Sequence, residues 1–525
     1  MNGMSKWLSD CLPADCIDTH PEVLVRFSQD VFADGEALGA VVRPHNEDQI
    51  VALVNACRVR DVAIVTRGGG MSYTSGYLAT RAGSVLIDMS AMNNILEINT
   101  VDATVTVEPG VTWESLHCAL TEKGLRTPFW GTLSGRYATV GGGLSQNGVF
   151  WGSGYHGAIG DNVLSVRVVT GEGIVLETGS ASQHNSGPFC TYFGPNLTGL
   201  FVGDGGAYGI KTRATLPLIP APRAKAFGAF AFDSSDTMTL AMAEISRNAL
   251  ASECFGFDPY LQKQRMKRAS LASDVQQLGG VVKAETRVLD KVVQASKVVF
   301  SGRRFMDDVA WSISTISEGR TQAEANIQAE TIRKICGKYG ARELPDSIPR
   351  LIAANPFGPV NNMIGAEGER WLPIHALVPH SMAQRGIECI ESVYRNNQSL
   401  MQKYQVRTGY LIATVGQQVS LLEPVFFWPD ALNELHKHSL DADHLARLTQ
   451  FNHVPGAFEA ISKIKLELVN ALSELGAVHF QLGKSYLYQE ALTPESAAVV
   501  RLLKAHFDPG GIMNPGVLGF DSRTM

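Results

Sequence analysis

The sequence predicts an α+β protein, and three observations lead to this fold class. Up to about residue 218, short runs of strand-forming residues alternate with helical patterns and turns. Pro217, Pro220 and Pro222 then interrupt regular structure, and beyond them glycine is sparser and helical patterns are longer. At 525 residues the chain also exceeds the size at which one hydrophobic core keeps growing, so two domains are expected.

The first predicted domain covers residues 1–222 and contains short buried strands. Apolar runs predict these strands at residues 62–65, 85–87, 105–107 and 163–169. A helix is predicted to begin at Asn46, whose side chain caps it, with Gln49 three residues on as the capping-box partner.

A central domain is predicted over residues 223–465, followed by a C-terminal segment over residues 466–525. The apolar run 227–232 predicts a buried strand, and residues 321–338 and 381–403 have the periodicity of amphipathic helices. We therefore expect the central domain to be an antiparallel sheet covered by helices.

The stretch with the most functional information follows the apolar run 62–65 and contains three consecutive glycines. It reads Arg67-Gly68-Gly69-Gly70-Met71-Ser72-Tyr73. The glycines let backbone approach a bound group, and successive N–H groups in such a turn form an anion-binding nest, to which Arg67 can add charge. A diphosphate would suit this loop, and an ordinary tight turn is the alternative interpretation.

Two further glycine clusters favour a ligand over a tight turn. One runs from 141–143 to Gly160, and the other covers residues 203–210. Neither fits G-x-x-x-x-G-K-[ST], and neither places a G-x-G-x-x-G directly after a predicted strand, so both common nucleotide motifs are poorly supported. Glycine this dense in an apolar domain predicts a large, flat ligand that main chain approaches along much of its length.

Composition and charge argue against several classes of protein. A net charge of −6 gives no electrostatic reason to expect nucleic acid, and no apolar run approaches the length of about 18 residues needed for a transmembrane segment. The first twenty residues include Asp10, Asp15 and Asp18 and lack a signal pattern, so a cytoplasmic location is expected. Eight scattered cysteines without C-x-x-C support neither a zinc site nor a disulfide framework.

Several short motifs occur in an order that resembles one family of flavoproteins. They lie at residues 42–44 with 63–70, 85–88 with 92–96, 107–111, 138–142, 199–201 with 206–210, and 507–516. Together they resemble the FAD-binding domain and the closing motif of the vanillyl-alcohol oxidase / p-cresol methylhydroxylase (PCMH) family, over residues 38–222 and 478–520. The resemblance implies a two-part PCMH-type FAD-binding domain, completed by the C-terminal segment, with the central domain binding substrate.

FAD is the cofactor that the resemblance implies, and the same motifs indicate which residues hold it. The implied contacts are Arg67, Gly68, Gly69, Gly70, Met71, Ser72, Pro109, Gly110, Thr139, Gly141, Gly142, Gly206, Gly209, Ile210 and Asn514. Met71 stands where members similar to the berberine-bridge group carry a flavin-linked histidine, and residues 134–154 contain no cysteine for the other known link. We therefore expect FAD to be non-covalent, although attachment through a histidine elsewhere stays open.

The metal site of the D-lactate and D-2-hydroxyglutarate dehydrogenase branches is not matched in this sequence. Those branches carry Glu-His-Gly near the C-terminus, and the corresponding stretch here reads His479-Phe480-Gln481-Leu482-Gly483. A divalent cation needs convergent carboxylate and imidazole ligands. Metal-free catalysis is therefore expected.

The resemblance implies hydride transfer to flavin N5 from an alcohol-type carbon in an aromatic alcohol, a phenol or a 2-hydroxy acid. This reaction needs a base for the partner proton. His375 is the first candidate, because it lies in the apolar run 371–379, predicted as one strand of the substrate-domain sheet. His156, which lies where the family's chain wraps the flavin, and His479 are further candidates. A hydrogen-bonded core histidine is the structural alternative for His375.

Two other side chains near the C-terminus are candidates for the chemistry. Lys484 is a candidate cation for the negative charge of reduced flavin, and a solvated surface lysine is the alternative. Tyr486 and Tyr488 are spaced to face one side of a strand, so Tyr486 is a candidate for orienting the substrate, with core packing as the alternative. The aromatic run 423–428 could line an apolar ligand pocket or simply pack in the core.

Other functions stay open at this point. The main alternative is a D-lactate/D-2-hydroxyglutarate-like dehydrogenase. A non-catalytic FAD-binding subunit is a second alternative, and a reductase fed by a nicotinamide cofactor is a third, although no second nucleotide motif is seen. The expected partners are a small-molecule substrate and an electron acceptor, which the sequence leaves open among oxygen, a cytochrome and a quinone. A homo-oligomer also stays open.

Overall fold

The structure, a computed structural model, describes residues 3–270 and 309–520. Residues up to 220 form α1 (Gly3–Ser9), β1 (Ile17–Asp18), α2 (Pro21–Phe27), β2 (Leu38–Val42), α3 (Glu47–Val59), β3 (Ile64–Arg67), β4 (Ser84–Asp88), β5 (Ile95–Asn99), β6 (Thr104–Val107), α4 (Trp113–Thr121), β7 (Leu125–Arg126), α5 (Val140–Gln146), α6 (Ser153–His156), β8 (Ser165–Val169), β9 (Val175–Glu177), β10 (Ile210–Pro217) and β11 (Ile219–Pro220).

The remaining described residues form a strand-rich middle and a helical C-terminal part. The middle contains β12 (Ala224–Phe232), α7 (Ser235–Arg247), β13 (Glu253–Phe257), α8 (Pro259–Ser270), β14 (Trp311–Gly319), α9 (Gln322–Lys338), β15 (Arg342–Glu343), α10 (Ser347–Ala354), β16 (Arg370–Pro373), β17 (Ala376–Pro379), α11 (Ala383–Asn396), α12 (Gln398–Lys403), β18 (Arg407–Val415) and β19 (Val419–Trp428). The C-terminal part contains α13 (Glu434–Ser439), α14 (Ala442–Leu445), α15 (Ala457–Glu474), α16 (Tyr488–Ala491) and α17 (Pro494–Phe507).

Two sheets organise the first part of the chain. In the order β1-β2-β4-β3, the last three strands pair in parallel and are mostly buried, as expected of parallel strands enclosed between other layers. The second sheet is antiparallel, in the order β5-β6-β10-β8-β9. The predicted strands 62–65, 85–87, 105–107 and 163–169 are confirmed as β3, β4, β6 and β8, although β3 and β8 each begin two residues later than predicted.

The predicted start of α3 is confirmed. The Asn46 side chain caps the helix by accepting a hydrogen bond from the backbone N–H of Gln49 at 3.0 Å. The Gln49 side chain accepts from the N–H of His45 at 2.7 Å, one residue earlier than in a standard capping box. In the part of the chain that the structure describes, no helix is long and apolar enough to cross a membrane.

The described residues of the middle form an antiparallel sheet. The strand order is β15-β12-β14-β13-β18-β19-β16, and β17 also pairs with β19. Helices α7, α9, α11 and α15 bury one apolar face each against this sheet, contributing Met238, Ile332, Ile390 and Ile461 to its core. The predicted antiparallel sheet covered by helices is confirmed.

The C-terminal segment returns to the first part of the chain. The N–H of Ile64 donates to the carbonyl of Ile512 at 2.8 Å, and the N–H of Asn514 donates to the carbonyl of Ile64 at 2.7 Å. These two bonds fasten the tail along β3, the strand that leads into the triple-glycine loop. The domain boundaries at residues 222 and 465 stay predictions.

Three predicted elements need correction. The helix predicted over 381–403 divides into α11 and α12 at Asn397, whose side-chain amide donates to the carbonyl of Val393 at 3.1 Å. The strand predicted over 371–379 is broken between β16 and β17, because Pro373, which is paired with Val425 of β19, lacks a backbone N–H.

The third correction concerns the strand predicted to carry Tyr486 and Tyr488. The structure contains no strand there; Tyr486 lies in a turn and Tyr488 begins α16. Gln481 and Gly483 have φ angles of 53° and 52°, in the left-handed region that a strand does not use.

Candidate active site

A glycine-lined cavity opens where β3 ends. It encloses about 980 Å³ of empty space, part of it open to solvent. The glycines are required by close backbone approach: a Cβ on Gly69 would overlap the carbonyl oxygen of Tyr137, and one on Gly68 would overlap Oγ1 of Thr139. Gly70 has a φ of +72°, which favours glycine. The sequence therefore builds a cradle of main chain rather than of side chains.

Most of the residues predicted to hold FAD line this first cavity. They are Gly68, Gly69, Gly70, Met71, Ser72, Pro109, Thr139, Gly141, Gly142, Gly206, Gly209 and Ile210. A cavity lined by so many glycines lets main chain approach a large, flat ligand, so the residues present fit FAD.

Three of the predicted residues lie outside the lining. The Arg67 guanidinium lies over the rings of Phe27 and Tyr77, at 4.5 and 5.5 Å from their centroids, and its buried Nε has no hydrogen-bond partner among the described residues. Gly110 packs under the carbonyl of Met89. Asn514 does not line the cavity, but its side chain forms hydrogen bonds with residues that do.

The amide of Asn514 joins two loops of the cradle. It donates to the carbonyl of Gly76 at 2.7 Å and to that of Gly205 at 2.6 Å. The sequence analysis missed a cation in this wall, Lys211, whose Nζ lies 2.6 Å from Oδ1 of Asp204 and donates to Ser145 at 2.9 Å. Because Lys211 and Asp204 are both buried, they form a fixed ion pair beside the cavity.

A second cavity adjoins the first and lies against the central sheet. It encloses about 1190 Å³ of empty space, again partly open to solvent. The residues common to both linings are Met71, Thr132, Ser134 and Gln481. One wall comes from β19, where every second side chain faces the cavity. These side chains are Leu421, Glu423, Val425 and Phe427.

His375 is the centre of a polar cluster in the wall of the second cavity. Its imidazole is buried, and its Nε2 lies 2.8 Å from the hydroxyl of Tyr73 and 3.2 Å from Oε2 of Glu423. Its Nδ1 has no hydrogen-bond partner among the described residues. A histidine, a phenol and a carboxyl group therefore meet in the wall of the second cavity.

The break in the sheet gives His375 this position. Its backbone N–H donates to the hydroxyl of Tyr486 at 2.9 Å instead of to a neighbouring strand, and its carbonyl accepts from Nδ1 of His479 at 2.6 Å. The rings of Tyr486 and His479 stack at 4.4 Å. Two predicted catalytic residues thus hold the backbone of a third.

Burial raises the pKa of Tyr73 well above its usual value, and Glu423 adds to this shift. The Tyr73 hydroxyl is therefore protonated at neutral pH and can donate a hydrogen bond. Burial has the opposite effect on His479, whose pKa is lowered, so this imidazole is held in the neutral form.

Lys484 and His156 lie outside the linings of both cavities. Lys484 donates from Nζ to the carbonyl of Leu78 at 2.7 Å and to Oδ1 of Asn514 at 2.6 Å. Burial lowers its pKa to about 7, an effect that Asp30 partly opposes. His156 ends α6, where burial and then Arg126 lower its pKa. The roles predicted for both stay predictions.

Tyr73 and Glu423 are functional candidates that the sequence analysis did not single out. A signal for Glu423 was present, because it is two and four residues before Val425 and Phe427 and so shares one face of a strand with them. The partnership of Tyr73 with His375 joins positions 302 residues apart, and local patterns carry no information about such a contact.

Comparison with known families supports the flavin assignment. Residues 38–179 match the model described as FAD binding domain, and residues 482–518 match the one described as FAD linked oxidases, C-terminal domain. The chain therefore carries an FAD-binding domain, and FAD is its cofactor.

Comparison with individual proteins adds both sequence relatives and a shared fold. Glycolate oxidase subunit GlcD of Bacillus subtilis (strain 168) is 34% identical over 186 residues, 35% of this chain and 38% of that protein. Mitochondrial D-lactate dehydrogenase (cytochrome) 1 of Saccharomyces cerevisiae is 28% identical over 196 residues, 37% of this chain and 32% of that protein. The matches thus span only about a third of the length of these relatives.

The solved structure of p-cresol methylhydroxylase with substrate bound shares the fold of the whole chain. Its TM-score is 0.72, with 16% identity, and the match covers 99% of this chain and 97% of that one. The fold is therefore of the PCMH type, an FAD-binding domain together with a sheet-containing domain.

Proposed function

We propose that this chain is an FAD-linked oxidoreductase that removes a hydride from an alcohol-type carbon. The observation that carries the proposal is the cluster of His375, Tyr73 and Glu423 in the wall of the cavity that adjoins the cofactor cradle. When bound, FAD supplies a two-electron acceptor for the hydride. The names of the sequence relatives, an oxidase subunit and a dehydrogenase, support the same class of reaction.

Each member of the cluster has a distinct task in this proposal. The imidazole of His375 takes the proton that leaves the substrate hydroxyl as the carbonyl forms. The carboxyl group of Glu423, 3.2 Å away, stabilises the resulting imidazolium. Tyr73 donates a hydrogen bond from its protonated hydroxyl, which holds the imidazole or the substrate oxygen in place.

The second cavity favours an aromatic alcohol or a phenol over a 2-hydroxy acid. Burying a carboxylate is costly unless a cation or several hydrogen-bond donors meet it. Among the described residues that line the cavity, none is a lysine or an arginine, and the rings of Phe150, Trp371, Phe427 and Phe480 supply much of the wall. The D-lactate/D-2-hydroxyglutarate-like alternative is kept because the sequence relatives include D-lactate dehydrogenases.

Non-covalent FAD and metal-free chemistry are part of the proposal. Met71 lies in the cradle and cannot replace a flavin-linked histidine, and no described residue lining the first cavity is a histidine or a cysteine. Over residues 3–270 and 309–520, no group of three or more His, Cys, Asp or Glu side chains could hold a metal ion. The cytoplasmic location, the electron acceptor and the oligomeric state stay predictions.

Anaerobic titration of the purified holoprotein tests the proposal. The flavin absorbance should bleach with benzylic alcohols or phenols and should not respond to NADH. Bleaching by NADH alone would identify a nicotinamide-dependent reductase. Bleaching by 2-hydroxy acids alone would favour the hydroxy-acid dehydrogenase alternative, and no bleaching by any of these compounds would favour a non-catalytic FAD-binding subunit.

A further inference from the structure

Glu423 is an acidic side chain in an otherwise apolar wall. Its side chain is 15% exposed, and no other described residue that lines the second cavity is acidic. Its neighbours along the same face of β19 are Leu421 and Val425, which offer no hydrogen bond. Among the described residues, its one polar contact is from Oε2 to Nε2 of His375 at 3.2 Å.

The contact with His375 leaves the negative charge of the Glu423 carboxylate poorly compensated. The Nε2 of His375 lies closer to the hydroxyl of Tyr73, at 2.8 Å, and a neutral imidazole whose Nε2 accepts from that hydroxyl offers no proton to the carboxylate. No hydrogen bond joins the second carboxylate oxygen to another described residue, and the side chain lines the cavity. A carboxylate in this state attracts a cation or a strong donor from a ligand.

Aromatic rings surround the same space. The rings of Tyr73 and Trp371 meet edge to face with their centroids 5.4 Å apart. Trp371 is paired with Phe427 of β19, which lies four residues after Glu423 on the same face of the strand. Phe480 lies on the other side, with its centroid 4.7 Å from that of His375. Electron-rich ring faces attract a positive charge, and desolvation strengthens that attraction.

We propose that the second cavity binds substrates with a protonated nitrogen, an aryl amino alcohol being the class that fits best. The nitrogen binds Glu423, the aryl ring packs against Trp371 and Phe427, and the alcohol carbon faces the cofactor cradle. This inference rests on the proposed function for the alcohol oxidation but adds the charge of the substrate. The cavity accordingly selects against 2-hydroxy acids.

Equilibrium binding of three ligands of one shape tests the charge preference. Benzamidine, benzamide and benzoate are planar and similar in size, carry charges of +1, 0 and −1 at neutral pH, and contain no carbon that donates a hydride. Calorimetric titration of the holoprotein should rank benzamidine tightest and benzoate weakest. The Kd values of the outer pair should differ by roughly tenfold to a hundredfold, the range expected for a charge-assisted hydrogen bond.

Glu423→Gln should weaken the binding of benzamidine by about the same factor and leave the Kd of benzamide unchanged. Glu36→Gln, at an exposed acidic residue, should change neither Kd. Benzoate binding as tightly as benzamidine to the unmodified protein would overturn the inference, even if the Gln variant did not fold. An unchanged ranking in Glu423→Gln would also overturn it. If an uncharged aromatic alcohol reduces the flavin but the three ligands bind with equal affinity, this inference is wrong and the proposed function is retained. Charge-selective binding without flavin reduction by any alcohol would refute the proposed function.

Discussion

The hydroxyl of Tyr73 lies 2.8 Å from Nε2 of His375, and this contact joins the cofactor loop to the central sheet. Tyr73 follows the triple-glycine loop by three residues, whereas His375 occupies the break between β16 and β17. The chemistry proposed here therefore depends on two distant parts of the chain, and Tyr73 packs against the hydrophobic core of the central sheet.

Replacing Tyr73 by Phe should slow flavin reduction about tenfold, since one hydrogen bond to a reacting group is lost. FAD content should be unchanged, because the Tyr73 ring still packs against Trp371. Stopped-flow absorbance under anaerobic conditions measures the rate. Tyr339→Phe is the control, since its hydroxyl donates to Oε2 of Glu244 and the residue lines neither cavity. An equal loss of rate in both variants would argue against a specific role for the Tyr73 hydroxyl.

Gly69→Ala should abolish FAD binding, because the added methyl group would overlap the carbonyl oxygen of Tyr137 and force the loop apart. Gly337→Ala is the control: it lies in α9 with no atom within 4 Å of the added Cβ, and alanine there should stabilise the helix by about 0.5–1 kcal/mol. The flavin-to-protein absorbance ratio after gel filtration measures the FAD content of both variants. Full FAD content in Gly69→Ala would show that the cradle is not the cofactor site.

Stability should rise with pH between about 7 and the ordinary lysine value near 10.5 because of Lys484. Its pKa is lowered on folding, so in this window the unfolded chain binds a proton that the folded chain does not, and raising the pH favours folding. Below about pH 7 both states are protonated and the penalty of burying the charge is complete. Lys465, whose pKa burial lowers to about 8, acts in the same direction.

Thermal unfolding from pH 6 to 10 measures this effect. The Tm of the wild-type protein relative to that of Lys484→Met should increase as the pH rises, whereas the Tm relative to that of Lys437→Met, at an exposed lysine, should show no such trend. A Tm difference that is constant with pH would contradict the lowered pKa. The same Lys484→Met protein tests the role predicted for Lys484, which is to favour the anionic form of the reduced flavin.

Acid precipitation should release the flavin. Met71 is the cradle residue at the position of the histidine link, and a thioether does not form that bond. Yellow colour in the supernatant, measured by absorbance after the protein is removed, is the expected result. Flavin that stays with the precipitate would reveal a covalent attachment at another residue.

The cofactor cradle could be predicted from sequence, whereas much of the catalytic cluster could not. Gly68, Gly69 and Gly70 follow a buried strand, and close approach of backbone to a ligand requires glycine, which is visible in the sequence. His375 could be named as a candidate base from the sequence, and that role stays a prediction, but its pairing with Tyr73 and Glu423 comes from the packing of the cofactor loop against the sheet. The strand predicted at Tyr486 failed because the positive φ of Gln481, a non-glycine residue, has no clear sequence signature.

The rate of anaerobic flavin reduction in His375→Ala tests the central claim most directly. The contacts from Tyr486 and His479 reach the backbone of His375, so this substitution leaves them in place and FAD should stay bound. With a benzylic alcohol as substrate, the account predicts a rate about 10²–10⁴-fold below that of the wild-type protein, the usual contribution of a general base. In His184→Ala, a substitution at an exposed histidine, the flavin should be reduced at the wild-type rate. A normal rate in His375→Ala would contradict the account and place the base elsewhere.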